Sequence, residues 1–93
     1  MNTTTDDEAL LEELATYGNR KLLLWQLAVD GRSFFGIRYL ARERGLQDAP
    51  VETQVEAFAD NMLVDGEIRT EYQEAVDWDI LESEHGETVD QYL

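Results

Sequence analysis

His85 is the only histidine in the chain. It stands in Glu82-Ser83-Glu84-His85-Gly86-Glu87, where an imidazole beside Glu82 or Glu84 has the residue types of a metal site. Such a site needs several strong ligands held by ordered elements, and there is no cysteine to add. The expectation is a solvent-exposed histidine and no metal. Carboxylate pairs such as Asp77 with Asp79, or Glu52 with Glu56, have the types needed for general acid–base work. That chemistry requires two carboxyls in different environments inside one pocket. With 21 acidic residues in 93, pairs at short spacing arise from composition alone. Ser33 and Ser83 have no histidine at a suggestive spacing, and the glycines form neither a Walker loop nor a dinucleotide-binding turn. A domain of this length buries roughly 60–70% of the surface its unfolded chain exposes, which leaves little room for a ligand cavity. The residues therefore point away from an enzyme: no catalytic residue, no cofactor and no small-molecule substrate is expected.

What the fold must position instead is charge. The formal net charge is -14, and it is segregated along the chain. Residues 1–19 carry five acids and no base, a net of -5; residues 20–44 carry six bases against Asp30 and Glu43, a net of +4. Residues 45–93 carry fourteen acids against Arg69, a net of -13. The basic centre is either a binding face for an anionic partner or a strip that the acidic flanks cover from within. Lys21 is the only lysine; the other bases are Arg20, Arg32, Arg38, Arg42, Arg44 and Arg69. Scarce lysine with abundant Asp and Glu resembles the proteins of salt-accumulating halophiles. In molar salt the Debye length falls to ~3 Å and self-repulsion is largely screened. Met1 to Glu8 is polar and acidic, unlike a secretory signal. The run Leu22-Leu23-Leu24-Trp25 is far short of the ~20 residues of a membrane span. A cytoplasmic protein with no membrane partner is expected. The absence of cysteine also excludes disulfides and a thiol nucleophile.

The elements follow from apolar spacing and stop signals. Leu10, Leu11, Leu14 and Tyr17 form a helical stripe over Thr5–Tyr17, with Thr5 as N-cap, Glu8 completing a capping box and Gly18 as the stop. A second helix is expected over Asn19–Val29, capped by Asn19, with Leu23, Leu24, Leu27 and Ala28 inward and Trp25 widening that face. The competing reading makes Asp30-Gly31 a hairpin turn between two strands. A third helix runs from Ser33, as its cap, to Arg44, burying Phe34, Ile37, Leu40 and Ala41 and turning Arg38, Arg42 and Arg44 away. Gly45 stops it, and Leu46–Pro50 is a turn. A fourth starts at Pro50 or Val51, turns Val51, Val55, Phe58, Ala59 and Met62 inward, followed by Leu63, and ends at Asp65-Gly66. Beyond it, Ile68, Thr70 and Tyr72, then Val76, Trp78 and Ile80, alternate with charged residues. They read either as a short antiparallel ribbon or as an amphipathic helix using Ile68, Tyr72, Val76 and Ile80. Glu82–Leu93 is expected as a loose tail or a short helix. The fold class is thus mainly α: one domain over residues 1–93, folded over 5–82, of about four helices with a short C-terminal β-ribbon.

This order resembles the winged helix-turn-helix family. The resemblance lies in Leu22 to Gly31, in Tyr39-Leu40-Ala41-Arg42-Glu43-Arg44-Gly45-Leu46, and in Val51, Val55, Phe58 and Met62-Leu63-Val64-Asp65-Gly66-Glu67-Ile68. It covers residues 20 to about 82 and implies a recognition helix at Val51–Leu63 followed by a wing. A helix that reads the major groove carries Arg, Lys, Asn or Gln and lies beside phosphates. This one carries Glu52, Glu56 and Asp60, with only Gln54 and Asn61 able to help. Each carboxylate opposes a phosphate field that DNA binders neutralise with cations, so the resemblance does not carry DNA binding with it, and fold does not fix function.

Three functions remain in view. The leading one is a regulatory protein-interaction module that uses Arg38, Arg42 and Arg44 on the third helix and Glu52, Glu56 and Asp60 on the fourth. Its partner is another protein or a second copy joined through these opposite patches. The second is a DNA-binding regulator docking through Arg20, Lys21, Arg32, Arg38, Arg42 and Arg44. The third is an acidic nucleic-acid mimic, built on residues 45–93, that inhibits a DNA-binding enzyme.

Overall fold

The computed structural model describes residues 3–31 and 33–93, with side chains from residue 8 onward. The protein is mainly helical, with six helices and one two-stranded antiparallel sheet among the described residues. The order is α1 (Thr3–Ala15), α2 (Arg20–Asp30), α3 (Phe35–Glu43), α4 (Val51–Met62), β1 (Leu63–Val64), β2 (Glu67–Ile68), α5 (Thr70–Glu74) and α6 (Trp78–Asp90). The expectation of about four helices is therefore corrected to six.

α2 is the central element, packed against α1 and α6. This explains why Leu22-Leu23-Leu24 does not alternate. Leu22, Leu23, Leu24, Gln26 and Leu27 are all buried, which requires cover on more than one side. Asn19 caps α2 as expected: its Oδ1 accepts from the Leu22 amide at 3.0 Å, while its Nδ2 donates to the Gly66 carbonyl at 2.7 Å. One side chain thus starts α2 and ties the distant hairpin to it. Ala28, expected inward, is exposed, and Asp30-Gly31 ends a helix and makes no hairpin.

α1 begins at Thr3, so Thr5 is its third residue and the N-cap assignment is corrected; the side chains of Thr5, Asp6 and Asp7 lie outside the described residues, as does Arg32. Leu10, Leu11 and Leu14 enter the core, whereas Tyr17 lies past the helix end and is exposed. Ser33 does not cap α3. Its hydroxyl donates back to the Asp30 carbonyl at 2.8 Å, and the Asp30 carboxylate takes the capping role by accepting from the Gly36 amide at 2.8 Å. Phe34 stands ahead of the helix in left-handed backbone, φ 56°. That costs a side-chain-bearing residue about 1–2 kcal/mol, offset here by complete burial of its ring.

α3 ends in a Schellman turn. The Leu46 amide donates to the Ala41 carbonyl at 2.7 Å and the Gly45 amide to the Arg42 carbonyl at 3.2 Å, with Gly45 at φ 70°. α4 packs on α3 and α1 and buries Val55, Ala57, Phe58, Ala59 and Met62.

The ribbon lies earlier than expected. Leu63 pairs with Ile68 and Val64 with Glu67, and Asp65 and Gly66 have φ of 56° and 83°, the positive pair that a two-residue hairpin turn demands. Neither reading of residues 68–80 holds as drawn. Thr70–Glu74 is a short helix, Val76 lies in the bend that follows, and Trp78 and Ile80 belong to the first turn of α6. There Asp77 caps by accepting from the amides of Asp79 and Ile80 at 3.1 and 3.3 Å. Of the two expectations for Glu82–Leu93, a loose tail or a short helix, the helical one fits: most of the segment belongs to α6, whose Val89 is fully buried. Trp78, Leu81, Val89 and Tyr92 line its core side, so folded structure runs well past residue 82. Trp25 joins the halves, its ring centroid 6.0 Å from Phe58 and 5.6 Å from Tyr72.

Candidate interaction surface

The basic segment divides into cations that the fold uses internally and cations that it presents. Arg20 is used. Its Nε donates to Glu82 at 2.8 Å and its Nη1 to Asp90 at 2.6 Å. Nη2 makes a further contact with Glu82 and reaches the Gly86 carbonyl at 3.3 Å. A bidentate guanidinium–carboxylate fork is the strong form of such a pair. It holds the Glu82 carboxyl below the usual carboxylate range, chiefly through the hydrogen bonds from Arg20. Lys21 is used as well: Nζ donates to Gln73 at 3.2 Å and lies 5.3 Å from the Trp78 ring centroid. The acidic C-terminal half therefore does fold over the start of the basic segment.

α3 differs. Its inner side is Ile37 and Ala41, both buried. On a helical wheel the opposite arc runs Arg38, Arg42, Phe35, Tyr39, Glu43, and all five are exposed. Phe35 and Tyr39 are 66% and 55% exposed, and their rings stack with centroids 5.9 Å apart at 24°. The Tyr39 hydroxyl donates to Glu43 at 3.3 Å, and Arg38 Nε donates to the Ser33 carbonyl at 3.1 Å. Arg42 and Arg44 are exposed and make no ion pair within 4.0 Å among the described residues. The arginine edge borders a cleft of about 240 Å³ lined by Arg38, Ala41, Arg42, Gln47 and Gln54. Gln54 is fixed there by donating to the carbonyls of Gln47 and Ala49 at 3.3 and 3.0 Å.

Glu52, Glu56 and Asp60 are exposed at one-turn spacing along α4. The acidic face continues onto the end of α1, where the Tyr17 phenol is pushed up by partial burial first, then by Glu56, Asp60 and Glu13. The structure thus brings five of the six anticipated interaction residues onto two neighbouring, packed helices, with Arg44 just past the end of α3 as its C-cap. It adds Phe35 and Tyr39, which sequence reasoning passed over although their i, i+4 spacing on the side away from Ile37 and Ala41 marks them.

His85 is half-buried rather than exposed, with Nε2 at 4.0 Å from Glu84. Among the described residues no group of three or more His, Cys, Asp or Glu side chains gathers in a metal-binding arrangement. No helix there is long and apolar enough to cross a membrane. Neither family models nor curated proteins nor solved structures match the chain.

Proposed function

We propose that this protein is a non-enzymatic, winged-helix-like interaction module that acts in regulation and docks through the outer face of α3. The observation that carries the reading is the stacked, exposed Phe35–Tyr39 pair flanked by Arg38 and Arg42. Aromatic and arginine side chains in combination dominate the energetics of protein interfaces. The order α3, Gly45 turn, α4 and two-residue hairpin supports the winged-helix likeness. The carboxylates of Glu52, Glu56 and Asp60 on the second helix of that pair support protein rather than duplex DNA as the partner. DNA docking through the basic segment has less support, because Arg20 and Lys21 are turned to α6 and Gln73.

The test is site-directed photo-crosslinking in native extract at the host's own salt, with the crosslinker in place of Phe35 or Tyr39 and a control in place of Thr70. Discrete protein adducts from positions 35 and 39 are expected. No adduct from either position overturns the reading.

A further inference from the structure

Resting on that reading, we propose that the occupant of the α3 face is the outer ridge of α6 from a second copy of this chain. Ile80, Glu84 and Glu87 follow i, i+4, i+7 spacing and so share one face of α6. All three are exposed, Ile80 at 53%. This ridge lies apart from the edge that carries Glu82 and Asp90 to Arg20. The α3 face has the same pitch: Phe35, then Arg38 with Tyr39, then Arg42. Each ridge spans about 10.5 Å from its first to its last residue, seven steps on, at the helical rise of about 1.5 Å per residue. Set parallel, Phe35 meets Ile80, Arg38 meets Glu84, and Arg42 meets Glu87. Set antiparallel, Phe35 faces Glu87 and Arg42 faces Ile80, so the chemistry selects one direction.

The acidic face of α4 is the poorer match. Its exposed residues, Glu52, Thr53, Glu56 and Asp60, can meet arginines but offer nothing apolar to cover Phe35 and Tyr39. A nucleic-acid strand, with a phosphate at every residue, would run from this small cationic patch onto the carboxylates of α4. Two ridges of this length bury less than a standard interface, so the contact is weak and transient in class. The pairing closes as a two-fold dimer where both α3–α6 contacts form at once, and otherwise runs head-to-tail. Each copy carries -14, and salt screens that overall repulsion and the exposed Arg–Glu pairs alike, so assembly is strongest at intermediate salt.

Sedimentation velocity over a concentration series at about 0.15 M KCl, where the Debye length of about 8 Å leaves close ion pairs effective, decides the matter, using the wild type, Arg42→Glu, Glu87→Arg and the double variant. Both positions are exposed, and circular dichroism confirms that each variant folds. The wild type should self-associate, each single swap should weaken association about tenfold or more, and the double swap should restore it. A wild type that stays monomeric overturns the proposal, as does an Arg42→Glu loss that Glu87→Arg does not share. In either case adducts between Phe35 and a different protein would leave the α3 docking reading standing, whereas the absence of every adduct removes both.

Discussion

Gln26 is fully buried on the central helix. Its Nε2 reaches the Gly31 carbonyl only at 3.5 Å, and its Oε1 accepts from no group among the described residues. An unsatisfied buried acceptor costs about 1–3 kcal/mol, and replacing it with an apolar group of similar shape removes that cost. Gln26→Met should therefore raise the urea midpoint, by an equivalent of about 1 kcal/mol. Gln26→Glu should lower it markedly, because a carboxylate there is buried without a partner. A methionine variant less stable than the wild type would mean that Oε1 is bonded after all. Arg20 illustrates how much of a polar residue's role lies beyond its neighbours in sequence. Arg20 reads as a surface cation, yet its carboxylate partners are 62 and 70 positions away.

At the scale of elements, the Arg20 clamp fastens the start of α2 to two turns of α6. The Glu82 carboxyl is held below its ordinary range, so its contribution is present above the unfolded-state value and is lost as pH falls through the lower folded-state value. Chemical unfolding followed across the acid range should show wild-type stability declining more steeply in that window than Glu82→Gln, which lacks the carboxylate. Parallel curves would show that the pair contributes nothing. Both partners are well exposed to solvent, so the difference should shrink in high salt. The same region shows where periodicity misleads. Trp78, Leu81, Val89 and Tyr92 follow the helical period, but Gly86 interrupts the run, and the alternation of Val76, Trp78 and Ile80 imitates a strand. A Cβ at Gly86 would stand 2.6 Å from the Glu82 Oε1 and 3.3 Å from the Arg20 Nη2, so the side-chain ends of the clamp would have to shift to admit one.

For the molecule as a whole, the excess of acids sets the terms of stability. A net charge of -14 on a chain whose Cα radius of gyration is 12.7 Å opposes compaction in dilute buffer, and added salt relieves it. We expect helical circular dichroism and the thermal midpoint to rise as KCl goes from millimolar to molar, with most of the gain reached once the Debye length is ~3 Å. A midpoint indifferent to KCl would show that the carboxylates are spaced widely enough not to repel. Salt therefore acts in two directions on one molecule: it weakens the Arg20 clamp and strengthens the fold around it.

The amino-acid sequence by itself determined the first four helices, the Asn19 cap, the Gly45 stop and the separation of the cationic α3 from the acidic α4. These are local matters, settled by leucine spacing, capping chemistry and residues within a turn of one another. The burial of Phe34 and the exposure of Phe35 were also legible, from the Phe34, Ile37, Leu40, Ala41 stripe; the tertiary structure alone decided that Phe34 stands ahead of α3 in left-handed backbone and that Asp30, not Ser33, caps the helix. It decided that Arg20 and Lys21 turn inward, because their partners arrive from α6 and from Gln73. The hairpin at Asp65-Gly66 was legible from its turn residues, yet only pairing between Leu63 and Ile68 separates a strand turn from a helix stop. Burial and pairing depend on surfaces that meet across the whole chain, and no window of local pattern contains both sides.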